Sequence, residues 1–510
     1  MLKNLTKDGL ILWVSFVLFT IQCIYLLVWY LPGSIPDRVS SGVWTSLAND
    51  FSNGIFYRPL KSGIGYGGTR YMPLFFVLHG LLIPFFKDPF FAGVFLTLGS
   101  VVFMCLGILF FLREWGVRWS QAIPFAGAIQ CTITFLMQTL SIRGDLLSAG
   151  FVVWSLVFFQ KYFKTRVAIH FFLSSLFLAF AVLTKITSLY ALAIGGTVLV
   201  LANRSREGIT WVLLSTLMTA LFFFGANAFS NGKMLESFAA CATGGMDGKG
   251  IILAPYHFLF EIFRDPVFAM FFVFAGIVFF VRFKESWRQL HFIYFVVTIG
   301  ATLIIFSSPG TSDNHLIDLQ TAVFLLLGVE FSKNYDLIKG VANILVVVCI
   351  YIGLSWFPFV PSIHNFFVTN GKPTRGIVQY FYERYGEKAF PVYSIYTEFS
   401  IVLGKTPYIG DLFNLNILME NNPNVKNDIY KKIKSQFFGS VVLSNYPNLF
   451  KKDFESKDDP NFKEAKEKFH KHQMEKEHYW YQKNPVYPLI RQYYEITSVR
   501  RPYVFLSPKK

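Results

Sequence analysis

The sequence predicts an α-helical integral membrane protein that ends in a small α/β domain. Three observations predict it. Apolar residues fill 53% of the 510 positions and charged residues only 15%, where a soluble domain carries about a quarter charged. Apolar runs recur up to residue 356, near 9–31, 74–86, 91–112, 121–140, 147–160, 167–184, 188–202, 210–228, 266–281, 291–307, 317–331 and 340–356. Basic loops separate some of these runs, and beyond residue 356 the apolar pattern stops.

The first run follows Lys3 and Lys7 and is too long for a signal-peptide core. It reads as a retained anchor with a cytoplasmic N-terminus. The loops "REWGVR", "KYFKTR", "NRSRE", "RFKESWR" and "KNYDLIK" are all basic. The positive-inside rule puts the five on the cytoplasmic side. Run 74–86 would invert every later loop if it crossed, and it is too short to cross, since a span needs about 20 residues. It is therefore expected to lie as a juxtamembrane helix on the outer leaflet. Eleven spans remain within 1–356, and 357–510 becomes an extracytoplasmic domain. The net charge of +16 then reads as loop bias and contact with anionic lipid, not as a nucleic-acid footprint. Four of the five cysteines lie in apolar runs and Cys241 in a polar loop, so no disulfide framework is expected.

No charged residue stands at the centre of any expected span. Ion-coupled carriers place ionisable groups there, so that class is disfavoured. The charge collects instead at the outer span ends. The first outer loop holds Asp50, Tyr57, Arg58, Lys61, Tyr66, Arg70 and Tyr71. "SIRGDLLSAG" brings Arg143 and Asp145, "TKITSLY" brings Lys185, and "SPGTSDNHLIDL" brings Asp313, Asn314, His315 and Asp318. Each has a plainer reading: Arg143 and Lys185 as snorkelling anchors, Asp50 as a helix cap, His315 as a surface residue. The agreement of four loops in sidedness predicts one polar cavity at the outer boundary.

A lipid-phosphate-linked sugar needs this set of groups. Its phosphate wants Arg or Lys near the bilayer surface. Its tail wants an apolar groove, and its acceptor hydroxyl wants one carboxylate to take a proton. Arg70, Arg143 and Lys185 are the candidates for the phosphate, then Arg58 and Lys61. Asp50 is the candidate base, with Asp145 in reserve. Tyr71, Tyr57, Asp145, Asn314, His315 and Asp318 are candidates for sugar or acceptor contacts. The chemistry calls for no cofactor and no metal.

These motifs resemble the GT-C superfamily of polyprenyl-phosphate-sugar glycosyltransferases. The resemblance rests on "NDFSNGIFYRP…GGTRYMPLFF", "SIRGDLLSAGF", "LTKITSLY" and "SDNHLIDL", and covers 1 to about 356. It is strongest to the bacterial branch similar to protein O-mannosyltransferases and lipid A aminoarabinose transferases. It implies a GT-C-like bundle in the inner (plasma) membrane. It also implies a polyprenyl-phosphate sugar donor used on the outer face, an acceptor glycan, lipid or protein, and the first-loop carboxylate as base. Two departures stand out. Asn49 precedes Asp50 and no second carboxylate follows before Asp88, unlike the paired-acid, metal-dependent oligosaccharyltransferases. His315 stands where relatives carry an aromatic. The rival from another class is a lipid-linked glycan flippase or other non-catalytic carrier, which would have no use for Asp50.

In the last domain, 388–417 alternates apolar and polar residues and reads as strands with turns. Residues 435–445 read as a helix end, a Gly and a strand. "KEAKEKFHKHQMEKE" reads as a solvated helix. His470, His472 and His478 on or near it are more simply a solvated face than a metal site. The aromatic run 478–494 could cover the cavity mouth or pack.

Overall fold

The computed structural model describes residues 38–241, 248–308, 311–333, 374–444, 460–475, 486–501 and 503–509. The expected spans 9–31 and 340–356, the boundary at 356, and His478 lie outside them. The helical part begins with α1 (Arg38–Ser52), α2 (Pro73–Phe86), α3 (Pro89–Glu114), α4 (Trp119–Ala128) and α5 (Ile133–Thr139). It continues with α6 (Asp145–Thr165), α7 (Ala168–Thr184), α8 (Ala191–Leu201), α9 (Ser205–Phe229), α10 (Lys233–Cys241) and α11 (Gly248–Arg264). It closes with α12 (Pro266–Ser286), α13 (Leu290–Phe306) and α14 (Ile317–Lys333).

Among the described residues, five helices are long and apolar enough to cross a membrane: α3, α6, α9, α12 and α14 with its 3-10 lead-in. The protein is thus a multi-pass membrane protein. Helices α7, α8 and α13 are apolar but shorter. The expected span 121–140 is bent: its two helices, α4 and α5, meet at 76°. The break is built by Thr132, which leaves the helix in an extended conformation and caps α5 by accepting from Phe135 N at 3.3 Å. Two helices, α10 and α11, occupy what reads in the sequence as a plain loop. Cys241, expected in a polar loop, ends α10 and is buried.

The basic loops gather at one end of the bundle. Lys164 reaches Glu114 at 3.4 Å, and Arg166 reaches Glu207 at 3.2 Å. Arg282 and Lys333 meet the buried Glu330 at 3.2 and 3.0 Å. Trp115 packs on His291 and under Lys333, which brings "REWGVR" to the same place.

The opposite end carries the C-terminal module. It contains α15 (Thr374–Tyr385), β1 (Val392–Ser394), α16 (Glu398–Ile401), α17 (Leu412–Asn421), α18 (Pro423–Lys434) and β2 (Ser440–Ser444). Then follow α19 (Pro460–Glu475), α20 (Tyr487–Tyr493), β3 (Tyr494–Arg500) and β4 (Tyr503–Pro508). The sheet order is β1-β2-β4-β3, with β1 and β2 parallel and the other pairs antiparallel. The strands expected over 388–417 reduce to β1. Asp411 caps α17 by accepting from Asn414 N at 3.1 Å, which turns the rest of that stretch helical. The expected strand after Gly439 is β2. His470 is buried in α19, its Nδ1 bonded to the Tyr487 hydroxyl at 2.9 Å.

The first loop is fastened to this module. Tyr66 N donates to Tyr408 O at 2.9 Å, and Tyr66 forms an isolated parallel bridge with Ile409. A Cβ on Gly65, which has φ +123°, would collide with the Tyr408 carbonyl. The glycines of "SGIGYGG" thus let two backbones touch. Lys61, Tyr66 and Lys432 all converge on Asp428. Burial pushes that carboxyl up, but these three partners outweigh it and hold it at about 2.

Candidate functional site

At the module-bearing end, four segments come together. Asp145 is the first residue of α6, where a carboxylate meets the positive end of the helix dipole. Lys185 follows α7 in an extended conformation and reaches Asp145 Oδ1 at 2.5 Å. Asn314, in the 3-10 turn Asp313–Leu316, donates to the same oxygen at 2.8 Å. Ser312 in turn donates to Asn314 Oδ1 at 2.6 Å and fixes its orientation. The approach of α6 to the end of α7 is set by Ser148, which bonds Ala181 O at 2.9 Å and Ser188 at 2.7 Å. Gly144 leaves room for Thr184 and Phe75.

Arg143, from the turn before α6, bonds Ser40 of α1. Next to it Ile142 N donates to Ser41 at 3.0 Å. His315 lies within electrostatic reach of Lys185, Asp145, Arg70 and Arg143. Tyr71 is similarly near Arg70, Arg143 and Asp145, and its ring packs on Trp44 at 4.5 Å. Arg70 stands over the Phe413 ring at 5.0 Å and makes no ion pair among the described residues. The three cations named first for the phosphate therefore converge, with Asp145, Tyr71, Asn314, His315 and Asp318 beside them.

Asp50, Arg58, Lys61 and Tyr57 are placed elsewhere. Asp50 lies ten residues after Ser40 along α1, about 15 Å away at 1.5 Å per residue. Both its oxygens face Arg58, at 2.6 and 3.0 Å, and both side chains are buried. Burial pushes the Asp50 carboxyl up, against the pull of Arg58. Arg58 also donates to Pro407 O at 2.7 Å, so the pair fastens the module to the first loop. Lys61 belongs to the Asp428 cluster. Tyr57 is buried and donates to Tyr71 O at 2.8 Å, holding the backbone behind Tyr71.

Sequence reasoning missed Ser40, Phe413 and Asp411. Asp411 lies within electrostatic reach of Arg70 and Tyr71. The cap signature "GDLFN" could have located Asp411; nothing in the sequence ties Phe413 to Arg70.

Comparison with solved structures shows that the fold is a known one. ArnT from Cupriavidus metallidurans bound to undecaprenyl phosphate superposes with a TM-score of 0.60 at 13% identity, over 97% of this chain and 98% of that one. The fold is that of the GT-C membrane glycosyltransferases. The archaeal oligosaccharyltransferase AglB from Archaeoglobus fulgidus, in complex with an inhibitory peptide and a dolichol-phosphate, gives 0.53 at 11% identity, over 86% and 69%. An Archaeoglobus fulgidus oligosaccharyltransferase in the apo form gives 0.54 at 12% identity, over 96% and 72%. At these identities the likeness is one of fold. No family model and no curated protein matches the chain by sequence.

Proposed function

We propose that the chain is a membrane glycosyltransferase that moves a sugar from a polyprenyl-phosphate donor to an acceptor hydroxyl on a glycan, lipid or protein. The reaction runs on the outer face of the plasma membrane. The observation that carries this reading is the convergence of Arg70, Arg143 and Lys185 around Asp145 and His315, at the outer-domain end of a GT-C bundle. Solved structures of that fold hold undecaprenyl phosphate and dolichol-phosphate.

In the reaction the acceptor oxygen attacks the anomeric carbon, the bond from that carbon to the phosphate oxygen breaks, and the acceptor proton passes to a carboxylate. The polyprenyl phosphate leaves as an anion and needs cations more than an acid. No metal takes part in this reading, and one displacement inverts the sugar. Asp145 is the base favoured by geometry: Lys185 and Asn314 hold one oxygen, and the other has no partner among the described residues. Asp50, first in line from the sequence, would have to leave Arg58 to serve.

The topology of the proposal has eleven spans, N-terminus inside and C-terminal domain outside. Arg375 of α15 pairs with Asp88 at the end of α2, which supports α2 returning to the face it started from. The test is transfer in vitro from a polyprenyl-phosphate sugar by purified protein, with and without chelator. Activity from a nucleotide sugar alone, or loss on chelation, overturns it. Translocation of a lipid-linked glycan without transfer would make the chain a flippase instead.

A further inference from the structure

Beneath the charged layer lies a second polar layer. Asp318 follows Asn314 by four residues, one helical turn further into the bundle and on the same face. It is buried, and its Oδ1 has no hydrogen-bond partner among the described residues. Tyr190 ends the 3-10 turn after Lys185, and its buried hydroxyl stands between that carboxyl and the Tyr294 hydroxyl, near enough to interact with both. Tyr294 of α13 closes another side, its hydroxyl donating to the Asp318 carbonyl at 3.4 Å. His315 Nδ1, between the two layers, is likewise buried and unpartnered.

The unpartnered Asp318 Oδ1 and His315 Nδ1 are costly to hold. A buried polar group left unsatisfied costs about 1–3 kcal/mol, more if charged, and a bundle in lipid has little water to offer. A ligand that carries hydroxyls would satisfy them: a carboxylate accepts from a hydroxyl, and phenol and imidazole can donate or accept.

We propose that Asp318, Tyr190, Tyr294 and His315 form the subsite for the donor's sugar ring and hold it through its hydroxyls. This rests on the charged layer being the donor-phosphate site. The phosphate is held by the upper layer, and the sugar hydroxyls reach down to Asp318 and Tyr190. The anomeric carbon then lies at the level of Asp145.

The experiment measures binding of two carriers to the full chain in nanodiscs: undecaprenyl phosphate and an undecaprenyl-phosphoryl hexose. The wild type should bind the hexosyl carrier about tenfold or more tighter than the bare one, the scale of a site built to hydrogen-bond its ligand. Tyr190→Phe, which keeps the ring and the packing, and Asp318→Asn should abolish that increment. Both should leave bare-carrier affinity unchanged. Lys185→Gln should weaken both carriers. Equal loss for bare and sugar-bearing carriers in Tyr190→Phe would mean a structural role and overturn the inference. If the wild type binds neither carrier, the donor-phosphate reading itself has failed.

Discussion

Replacing Asp145 by Asn should separate catalysis from donor binding. The carboxylate engages Lys185 at 2.5 Å and Asn314 at 2.8 Å through one oxygen. Asn keeps an acceptor there, so the bond from Asn314 survives and the segment keeps its shape. What goes is the charge. A general base contributes about 10²–10⁴-fold in rate, equivalent to about 3–5 kcal/mol of barrier at 1.36 kcal/mol per decade. Lys185, released from its anion, becomes freer to bind phosphate. Donor affinity should therefore stay level or tighten while turnover falls at least a hundredfold. The assay pairs single-turnover transfer with binding of bare undecaprenyl phosphate, on protein checked for an unchanged melting profile. Two further variants run beside it: Asp50→Asn, and Asp37→Asn, the carboxylate directly before α1 in the sequence. Wild-type turnover in Asp145→Asn refutes the assignment. A loss confined to Asp50→Asn or to Asp37→Asn moves the role to that residue. Parallel loss of binding and rate would make Asp145 a mere anchor for Lys185.

Arg70→Gln and Arg143→Gln should each raise the dissociation constant for undecaprenyl phosphate by about tenfold, a charged contact being worth about 1.5–3 kcal/mol; unchanged binding by calorimetry in both would count against the phosphate site. Arg58→Ala should cost about 3–5 kcal/mol, since it strands the buried Asp50, and should expose the 405–411 segment to limited proteolysis. Gly65→Ala should loosen the same junction, because φ +123° strains any side chain and the added methyl meets Tyr408; a wild-type melting temperature would contradict it. The module should also weaken in mild acid. Burial pulls His470 from its usual value near 6.5 down to about 4. Neutral imidazole is favoured in the fold, so its stabilisation is complete above pH 6.5 and lost as pH falls toward 4, by up to about 3 kcal/mol. His470→Gln should flatten that stretch of the stability curve.

Much of the site could be read from sequence because each loop ended an apolar run. A charged side chain at a span end has few places to go, and Arg143, Lys185, Asp145 and Asn314 all went to the same one. Run 74–86 was legible as a short apolar helix from its length alone. The partner of Asp50 was not. Arg58 turns back only because Tyr57 adopts φ +57°, a backbone state that hydrophobic patterning does not signal. The bend in 121–140 was hidden because its apolar pattern continues through Thr132, and only the cap at that residue ends the helix. Helix α11 escaped because Pro255 and a one-sided apolar face dilute the run that a span detector seeks. Over 388–417, alternation looked like strand, yet the cap at Asp411 commits its second half to helix.

The contact between Gly65 and Tyr408 bears on how this architecture can be divided. Gene fusions and truncations usually succeed where few backbone bonds cross the cut. Here the first loop supplies an edge for the C-terminal module, and the module returns a carbonyl, Pro407 O, to the first loop's own arginine. A chain cut between its helical and sheet-bearing halves would leave both faces raw, so the halves should have to be exchanged between relatives together with residues 57–71. Only a graft that carries that loop along with the module should yield a folded chimera.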